Sequence, residues 1–494
     1  MRLPEPGALT IARAPESHLP ERPPFVIRAR VLTPLAGGGT RFEADGYVAV
    51  DAEGRIDGMG AWSERGTMRA ARADAAAHEG RSVFDVRPWV VTPGLVDLHV
   101  HLPQVPAAGV GAGLDLLTWL ERYIFPLERA FDEATAERVA PHVFGQMARA
   151  GTTTALMYGA IWQPSLDATF RAAEAHGIRA VIGKVMMDER TYDERLPPDR
   201  ILEVSLRQSA ELCERWHMRD RGRLRYAFTP RFALSCSEEM LRESARLSRE
   251  MGTYWQTHLS EDRGEIAEVT RRFPKALDYL DVYDRAGALG ERTILAHAVH
   301  LSERELSRLV ESGSRIAHCP ASNLFLASGV MPLGRYLERG AIVGLGSDVA
   351  GGPELSMISQ MRAGAYAQSA LRTVGRDPRP VLEPLDWWRL ATLDGARALG
   401  MEDEIGSLEP GKDADLICID PTWTEPLRAG AGPKVAGAEA VESAEGEEVD
   451  PAEGQAIDPA ELASRLIFRY HPEMVRGAWV RGRRLPRGAE AVAR

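Results

Sequence analysis

Short apolar runs alternate with longer amphipathic segments along most of the chain, beginning at Pro93. Eight runs occur: GLVDLHV (94–100), TTALMYG (153–159), RAVIGKVM (179–186), LRYAFTP (224–230), TYWQTHL (253–259), TILAHAV (293–299), RIAHCP (315–320) and AIVGLGS (341–347). The segments between them, such as DEATAERVAPHVFGQMARAG, have acidic first turns and a closing glycine, which is typical of helices. Eight strand–helix alternations predict an α/β fold with a closed (β/α)8 TIM-like barrel. An open doubly wound sheet is the alternative.

The two flanks of this region have a different pattern, with short alternating strands broken by Gly, Pro and Asp. We expect residues 25–92 and 406–494 to form one small β-sandwich domain from both chain ends, beside a barrel over 93–405. Residues 1–24 are rich in proline and predict a loose tail. Residues 428–460 are rich in Ala, Gly and Glu, which predicts a flexible acidic insertion.

Composition limits the classes of partner. Hydrophobic residues make up 44% and charged residues 27% of the 494 positions, as in ordinary globular proteins. The net charge of −11 disfavours nucleic acid as a partner, because an acidic surface repels phosphates. No apolar run is long enough for a membrane span or a signal peptide, and the four cysteines are widely spaced. These features predict a cytoplasmic protein without a membrane partner.

The ends of the predicted barrel strands carry the residues that suggest chemistry. His99 and His101 end the first strand, His258 the fifth and His297 the sixth, and Asp348 follows the eighth. Strand alternation places residues i and i+2 on the same side, and catalytic groups of such barrels lie at the carboxyl ends of strands. Several imidazoles with one carboxylate suit Zn²⁺ or Fe²⁺ and leave a position for water. Histidines with a purely structural role are the alternative.

Two further residues refine this hypothesis. Glu261 comes three residues after His258, where it can act as the proton carrier that a metal-activated water needs. Some two-metal barrels use a modified lysine on the fourth strand. Lys184 lies on the third strand by our count, so the sequence predicts one metal ion per chain.

Several motifs carry a resemblance to a known family. PGLVDLHVH, LAHAVHL, HCPASN, GSD and GSLEPGKDADL together resemble the amidohydrolase superfamily, from about residue 25 to the C-terminus. Within it, the chain is most similar to the guanine deaminases. This closer resemblance rests on HVHLPQ (99–104), LLTWLERYIFPLERAF (116–131), TPRFALSCSEE (229–239), FPKALDYLDVYDRAGAL (273–289) and GLGSDVAGG (344–352).

The resemblance implies a role for each candidate residue. It implies one Zn²⁺ per chain, with Fe²⁺ as the alternative, and the implied ligands are His99, His101, His258 and Asp348. Glu261 would carry the proton, His297 would stabilise the developing oxyanion, and Asp348 would take a second proton. The implied substrate contacts are Gln104, Arg231, Phe232, Trp119, Leu120 and His297. A homodimer is implied as well.

The implied reaction is the hydrolytic deamination of guanine to xanthine and ammonia, a step of purine catabolism. Arg231 offers a planar donor fork for a purine carbonyl, and Gln104 offers one donor and one acceptor. Leu234, His300 and Pro353 depart from the family's usual residues, and His300 and Pro353 could tune the pocket. Another aminoheterocycle, such as 8-oxoguanine, a pterin or a triazine, is therefore the alternative substrate. A non-catalytic assembly protein on the same scaffold is the alternative of a different class.

Overall fold

The computed structural model describes residues 19–64, 81–424 and 458–488. Most of the predicted tail (1–24) and most of the predicted acidic insertion (428–460) lie outside these ranges.

The described residues form strands in three groups along the chain. The first group is β1 (Phe25–Pro34), β2 (Thr40–Val50), β3 (Ile56–Ala61) and β4 (Ser82–Pro93). The second group is β5 (Leu95–His101), β6 (Thr152–Tyr158), β7 (Arg179–Gly183), β8 (Val185–Met186), β9 (Leu224–Pro230), β10 (Tyr254–Leu259), β11 (Thr293–His297), β12 (Arg315–His318) and β13 (Ile342–Leu345). The third group is β14 (Leu416–Ile419), β15 (Val475–Val480) and β16 (Arg483–Arg484).

The helices lie mainly between the strands of the second group. They are α1 (Leu116–Trp119), α2 (Phe125–Arg129), α3 (Glu133–Ala150), α4 (Gln163–His176), α5 (Pro198–Trp216), α6 (Arg219–Gly222), α7 (Glu238–Glu250), α8 (Arg263–Arg272), α9 (Tyr279–Arg285), α10 (Glu303–Ser312), α11 (Pro320–Phe325), α12 (Leu333–Glu338), α13 (Met357–Thr373), α14 (Pro384–Leu390), α15 (Leu393–Ala398) and α16 (Pro459–Phe468). A π-helix (Leu120–Ile124) joins α1 to α2, and a 3-10 helix (Leu102–Ala107) follows β5. Within the described ranges, no helix combines the length and apolar character that a membrane span needs.

Eight parallel strands form a nearly closed barrel in the order β5-β6-β7-β9-β10-β11-β12-β13, and β8 pairs separately with β9. The residues after β13 complete the circle by bonding to β5. The backbone N–H of Asp348 donates to the carbonyl of His99 (2.7 Å), and that of His101 donates to the carbonyl of Val349 (3.1 Å). The predicted TIM-like barrel is thereby confirmed.

Local signals explain where helices and strands begin and end. Asp132 caps α3 by accepting a hydrogen bond from the Thr135 N–H, and Gly151 ends that helix with a φ of 88°. A residue with a side chain adopts such a left-handed conformation at a cost, so glycine suits the stop. Every residue of the next strand, β6, is buried, which is typical of a parallel strand covered on both faces.

Both chain ends contribute to a second sheet, as predicted. Its order is β16-β15-β14-β4-β1-β2-β3, so one seven-stranded sheet joins the first and third groups of strands. A buried guanidinium fixes the C-terminal part of the chain to the barrel. Arg179 begins β7, and its Nε and Nη2 lie 2.9 Å from Asp415 and 2.7 Å from Asp413.

Lys184 follows β7, the third barrel strand, and its amine is buried. Its Nζ donates a hydrogen bond to Ser205 Oγ of α5 (2.9 Å), and burial lowers the pKa of Lys184 from 10.5 to about 7. A lysine whose pKa falls on folding must either lose its proton or be desolvated while charged. Its presence therefore lowers the free energy of unfolding, and this effect is largest below the pKa of the folded state.

We predict that Lys184→Met is more stable than the unmodified protein at about pH 7, and that the difference shrinks as the pH rises towards about 10. The sign follows because the unfolded chain binds the extra proton over this interval. Urea unfolding at several pH values measures the effect. Lys275→Met changes an exposed lysine and serves as the control, for which no such pH-dependent gain is expected. A Lys184→Met advantage that grows with pH would contradict the prediction.

Candidate metal centre and active site

All five residues predicted from the strand ends meet at one point at the carboxyl end of the barrel. His99 and His101 lie on β5, His258 on β10 and His297 at the end of β11, and Asp348 follows β13. Two of them turn sharply out of their strands, since φ is 69° at His297 and 49° at Asp348. Left-handed backbone at residues other than glycine is uncommon and tends to cluster at functional sites.

The side-chain atoms of this cluster face one another at short range. His101 Nε2 lies 3.2 Å from His99 Nε2 and 3.2 Å from His258 Nε2. Asp348 Oδ1 lies 3.2 Å from His99 Nε2 and 3.4 Å from His101 Nε2. His99, His258, His297 and Asp348 also offer ligand atoms that all lie within 4.8 Å of one another. His101 Nε2 lies closer to Asp348 Oδ1 (3.4 Å) than His297 Nε2 lies to Asp348 Oδ2 (3.8 Å).

These distances match a tetrahedral ion. Four ligand atoms about 2.0–2.1 Å from a tetrahedral Zn²⁺ lie about 3.3 Å from each other. Two buried ring nitrogens, His101 Nδ1 and His297 Nε2, also lack a hydrogen-bond partner among the described residues. The donor set therefore fits a divalent metal.

Hydrogen bonds orient two of the rings, His258 and His297. The Nδ1–H of His258 donates to the carbonyl oxygen of Arg231 (2.6 Å), which leaves the Nε2 lone pair facing the cluster. His297 Nδ1 lies 2.9 Å from Asn323 Oδ1. Such outer contacts set the tautomer of metal-binding histidines in general.

Electrostatics keep the cluster in the ionisation states that a metal requires. Burial lowers the pKa of His99, and it lowers the pKa values of His101 and His258 well below their ordinary value. Burial alone would raise the pKa of Asp348, but the facing His99 imidazole holds it below its usual range. Neutral imidazoles and an ionised carboxylate are the forms that bind metals.

A buried carboxylate holds β5 against the residues after β13. Asp97 Oδ1 accepts hydrogen bonds from the backbone N–H groups of His99 (3.1 Å) and Ser347 (2.9 Å), and Oδ2 accepts one from Ser347 Oγ (2.5 Å). Ser322 Oγ donates to Asp348 Oδ2 (2.6 Å). Hydrogen bonds with neighbouring residues thus fix the positions of His99 and Asp348.

Glu261 lies beside the cluster. Its Oε2 is 3.4 Å from His297 Nε2, and its Oε1 accepts a hydrogen bond from Ser328 Oγ (3.2 Å). Glu265 accepts the backbone N–H of Glu261 (3.0 Å) and fixes the start of the following loop. Burial, and then the negative charge of Asp348, raise the pKa of Glu261 well above its ordinary value. A carboxyl group with a raised pKa can hold and release a proton near neutral pH.

A cavity of about 380 Å³, including its opening to solvent, adjoins the cluster. Every predicted site residue except His99 lines it. The lining residues are His101, Gln104, Leu116, Trp119, Leu120, Arg231, Phe232, His258, Glu261, Glu265, His297, Leu326 and Asp348.

The polar groups on the far side of the cavity converge on a residue that sequence analysis missed. Glu128 of α2 accepts hydrogen bonds from Arg231 Nη1 (2.5 and 2.7 Å), Gln104 Nε2 (2.7 Å) and Tyr192 OH (2.8 Å). Gln104 Oε1 accepts the backbone N–H of Ala350 (3.2 Å). The sequence offered no signal that would select Glu128, since a charged segment of this kind normally faces solvent.

The apolar wall of the cavity comes from α1 and the π-helix. Trp119 and Leu120 are buried there, and Trp119 Nε1 donates to the carbonyl of Val110 (2.9 Å). The ring of Phe232 lies edge-on to His258, with an interplanar angle of 70° and centroids 6.4 Å apart. Neither His300 nor Pro353 lines the cavity.

Comparison with known proteins places the chain in a family. Residues 90–451, well over half of the chain, match the model of the amidohydrolase family. The chain belongs to the amidohydrolase family. This family is metal-dependent, in agreement with the cluster of His and Asp ligand atoms.

Individual amidohydrolase relatives are similar over most of their length. The Escherichia coli protein "Guanine deaminase" is 39% identical over 389 residues, covering 78% of this chain and 83% of that protein. A crystal structure of guanine deaminase from C. acetobutylicum with bound guanine in the active site matches with a TM-score of 0.80 at 25% identity, over 93% of this chain and 99% of that one. An adenosine deaminase from Xanthomonas campestris with bound zinc matches with a TM-score of 0.75 at 26% identity, over 96% and 97%.

We predict that this amidohydrolase, purified without chelator, contains about one divalent metal ion per chain and that His258→Ala lowers the content at least about tenfold. Loss of a ligand should exceed the roughly 10–100-fold loss in metal affinity that removal of an outer hydrogen-bond partner causes. Elemental analysis after dialysis measures the content. His142→Ala removes an exposed histidine of α3 as the matched control. Equal metal content in the two variants would contradict the ligand assignment.

Proposed function

We propose that the protein is a guanine deaminase, which converts guanine and water to xanthine and ammonia in purine catabolism. The observation that carries this proposal is a single cavity lined on one side by the metal-ligand cluster and on the other by Gln104 and Arg231. The similarity to guanine deaminases over most of both chains, one of them with bound guanine, supports the same substrate.

We assign the metal ligands to His99, His101, His258 and Asp348, with one Zn²⁺ per chain as the ion and Fe²⁺ as the alternative. The nitrogen-rich donor set and the zinc-containing relative support zinc. When bound, such an ion lowers the pKa of a water molecule so that hydroxide is available at neutral pH.

Residues beside the metal site transfer the protons of the reaction. Glu261 accepts a proton as the water oxygen bonds to the carbon that carries the amino group, and it donates that proton to the adjacent ring nitrogen. His297 Nε2 lies between the carboxylates of Glu261 (3.4 Å) and Asp348 (3.8 Å). In its protonated form, with Nδ1–H on Asn323 Oδ1, the ring donates its Nε2–H to the developing oxyanion. Asp348 accepts the second proton and passes it to the amino group, the carbon–nitrogen bond breaks, and ammonia leaves.

The remaining contacts position the purine. Arg231 donates to the ring carbonyl, and Gln104 offers a donor and an acceptor to the ring edge. Phe232, Trp119 and Leu120 supply the apolar walls that exclude water. A site built to satisfy such polar groups discriminates against substrates that leave them unpaired.

We also propose a cytoplasmic location, because Cys213, Cys236, Cys319 and Cys418 are all buried and unpaired, as suits a reducing compartment. The homodimer stays a prediction that rests on the family resemblance. The domain boundaries at 25–92, 93–405 and 406–494 likewise stay predictions.

We predict that the zinc-loaded protein releases ammonia from guanine, with one xanthine formed for each ammonia. Ammonia measured by a coupled assay and xanthine measured by absorbance test this. A panel of 8-oxoguanine, a pterin and an aminotriazine, compared by kcat/KM, tests the alternative substrates. If the metal-loaded protein releases no ammonia from guanine, the proposal is refuted. If another member of the panel has a higher kcat/KM, that compound replaces guanine as the proposed substrate.

We predict that Glu261→Gln keeps its zinc and loses about 10²–10⁴-fold in kcat, because an amide cannot carry the proton. Glu203→Gln changes an exposed carboxylate of α5 and should behave as the unmodified protein does. Steady-state kinetics together with elemental analysis separate chemistry from metal binding. A Glu261→Gln protein that turns over guanine at the normal rate would remove Glu261 from the mechanism.

A further inference from the structure

The carboxylate of Glu128 accepts hydrogen bonds from the polar side chains on the side of the cavity opposite the histidine cluster. It is only 1% exposed, and it accepts hydrogen bonds from a guanidinium, an amide and a phenol at 2.5–2.8 Å. Two of these donors, Arg231 and Gln104, line the cavity, whereas Glu128 and Tyr192 lie behind them.

The pairing leaves part of Arg231 available to a ligand. Both bonds to Glu128 come from one nitrogen, Nη1. Burial alone would lower the pKa of Arg231, but the charge of Glu128 raises it, so the guanidinium stays ionised. Within the described ranges, Glu128 is the carboxylate that forms an ion pair with Arg231, at 2.5 Å. The pair therefore presents guanidinium N–H donors without net charge.

We propose that Glu128 makes the purine subsite selective for neutral ligands. Its negative charge cancels that of Arg231, so the subsite accepts the neutral carbonyl of guanine and disfavours an anionic purine, including the deprotonated form of xanthine. Glu128 is a positioning and specificity-determining residue, since it acts through Arg231 and Gln104. The proposal deepens the proposed function and rests on it for the identity of the ligand.

The physical reason is the low dielectric of the buried site. An unpaired guanidinium there attracts an anion strongly. A guanidinium already paired with a carboxylate gains little from an anionic ligand, because the carboxylate and the ligand repel each other. A neutral carbonyl oxygen only accepts hydrogen bonds and meets no such repulsion. Release of an acidic product is favoured by the same arrangement.

The test uses two purines of similar shape whose charges respond differently to pH. Xanthine loses a ring proton in mildly alkaline solution, whereas hypoxanthine stays mainly neutral there and keeps the ring carbonyl. Calorimetric dissociation constants for the zinc-loaded protein are measured for both at mildly acidic and mildly alkaline pH. The readout is the affinity for xanthine divided by that for hypoxanthine, because effects of pH on the protein common to both ligands cancel.

In the unmodified protein, we expect this ratio to fall as xanthine becomes an anion. In Glu128→Gln it should rise instead, and at alkaline pH it should exceed the unmodified value by at least about tenfold, because Arg231 is then uncompensated. The same variant should raise KM for guanine more than it lowers kcat, since the reacting groups are untouched. Tyr192→Phe removes another donor to Glu128 without changing charge, and its ratio should follow the unmodified protein.

Glu128→Gln leaves a buried charge unpaired and could fail to fold, so a second variant complements it. Glu128→Gln combined with Arg231→Gln removes both charges, and its ratio should fall with pH as in the unmodified protein. A ratio that does not fall in the unmodified protein, or that Glu128→Gln leaves unchanged with zinc retained, would overturn the proposal. The expected ratios without ammonia release from guanine would support the charge assignment while refuting the deaminase function.

Discussion

The pairing of β5 with the residues that follow β13 is the interaction on which the site depends. It closes the barrel and joins His99 and His101, near one end of the barrel sequence, to Asp348, about 250 positions further along. Asp97 strengthens the closure, because its buried carboxylate accepts hydrogen bonds from both sides of the seam. Without this closure, the cluster would lose either its carboxylate or two of its imidazoles, and no metal site would form.

Burial of charge is the second constraint, and the structure meets it by pairing. An isolated charge in a protein interior is costly unless it is hydrogen-bonded or ion-paired. Glu128 faces Arg231, Asp348 faces His99, and Glu261 is held by Ser328 and His297. Such hydrogen-bonded networks hold side chains in one geometry, which suits a site whose donors must be in place before a ligand arrives.

Arg231 connects the histidine cluster to the opposite side of the cavity. Its carbonyl oxygen accepts the His258 Nδ1–H and thereby orients a metal-facing imidazole, while its guanidinium faces the cavity. The proposed substrate contact and the proposed metal geometry therefore share one short segment after β9. A change in the backbone of this segment would disturb both at once, whereas a change in the Arg231 side chain would affect mainly recognition.

The barrel strands and the candidate residues at their ends could be predicted from the pattern of the sequence. Buried parallel strands are continuous apolar runs between capped helices, and catalytic groups follow such strands, so His258 or Asp348 could be selected from local pattern alone. Glu128, Ser328 and Glu265 could be identified only in the tertiary structure. Their roles depend on contacts with residues far away in the chain, such as the 103 positions between Glu128 and Arg231. Nothing local distinguishes buried Glu128 from exposed Glu121 in the same segment, because burial of a charge is decided by the partner that the fold brings to it.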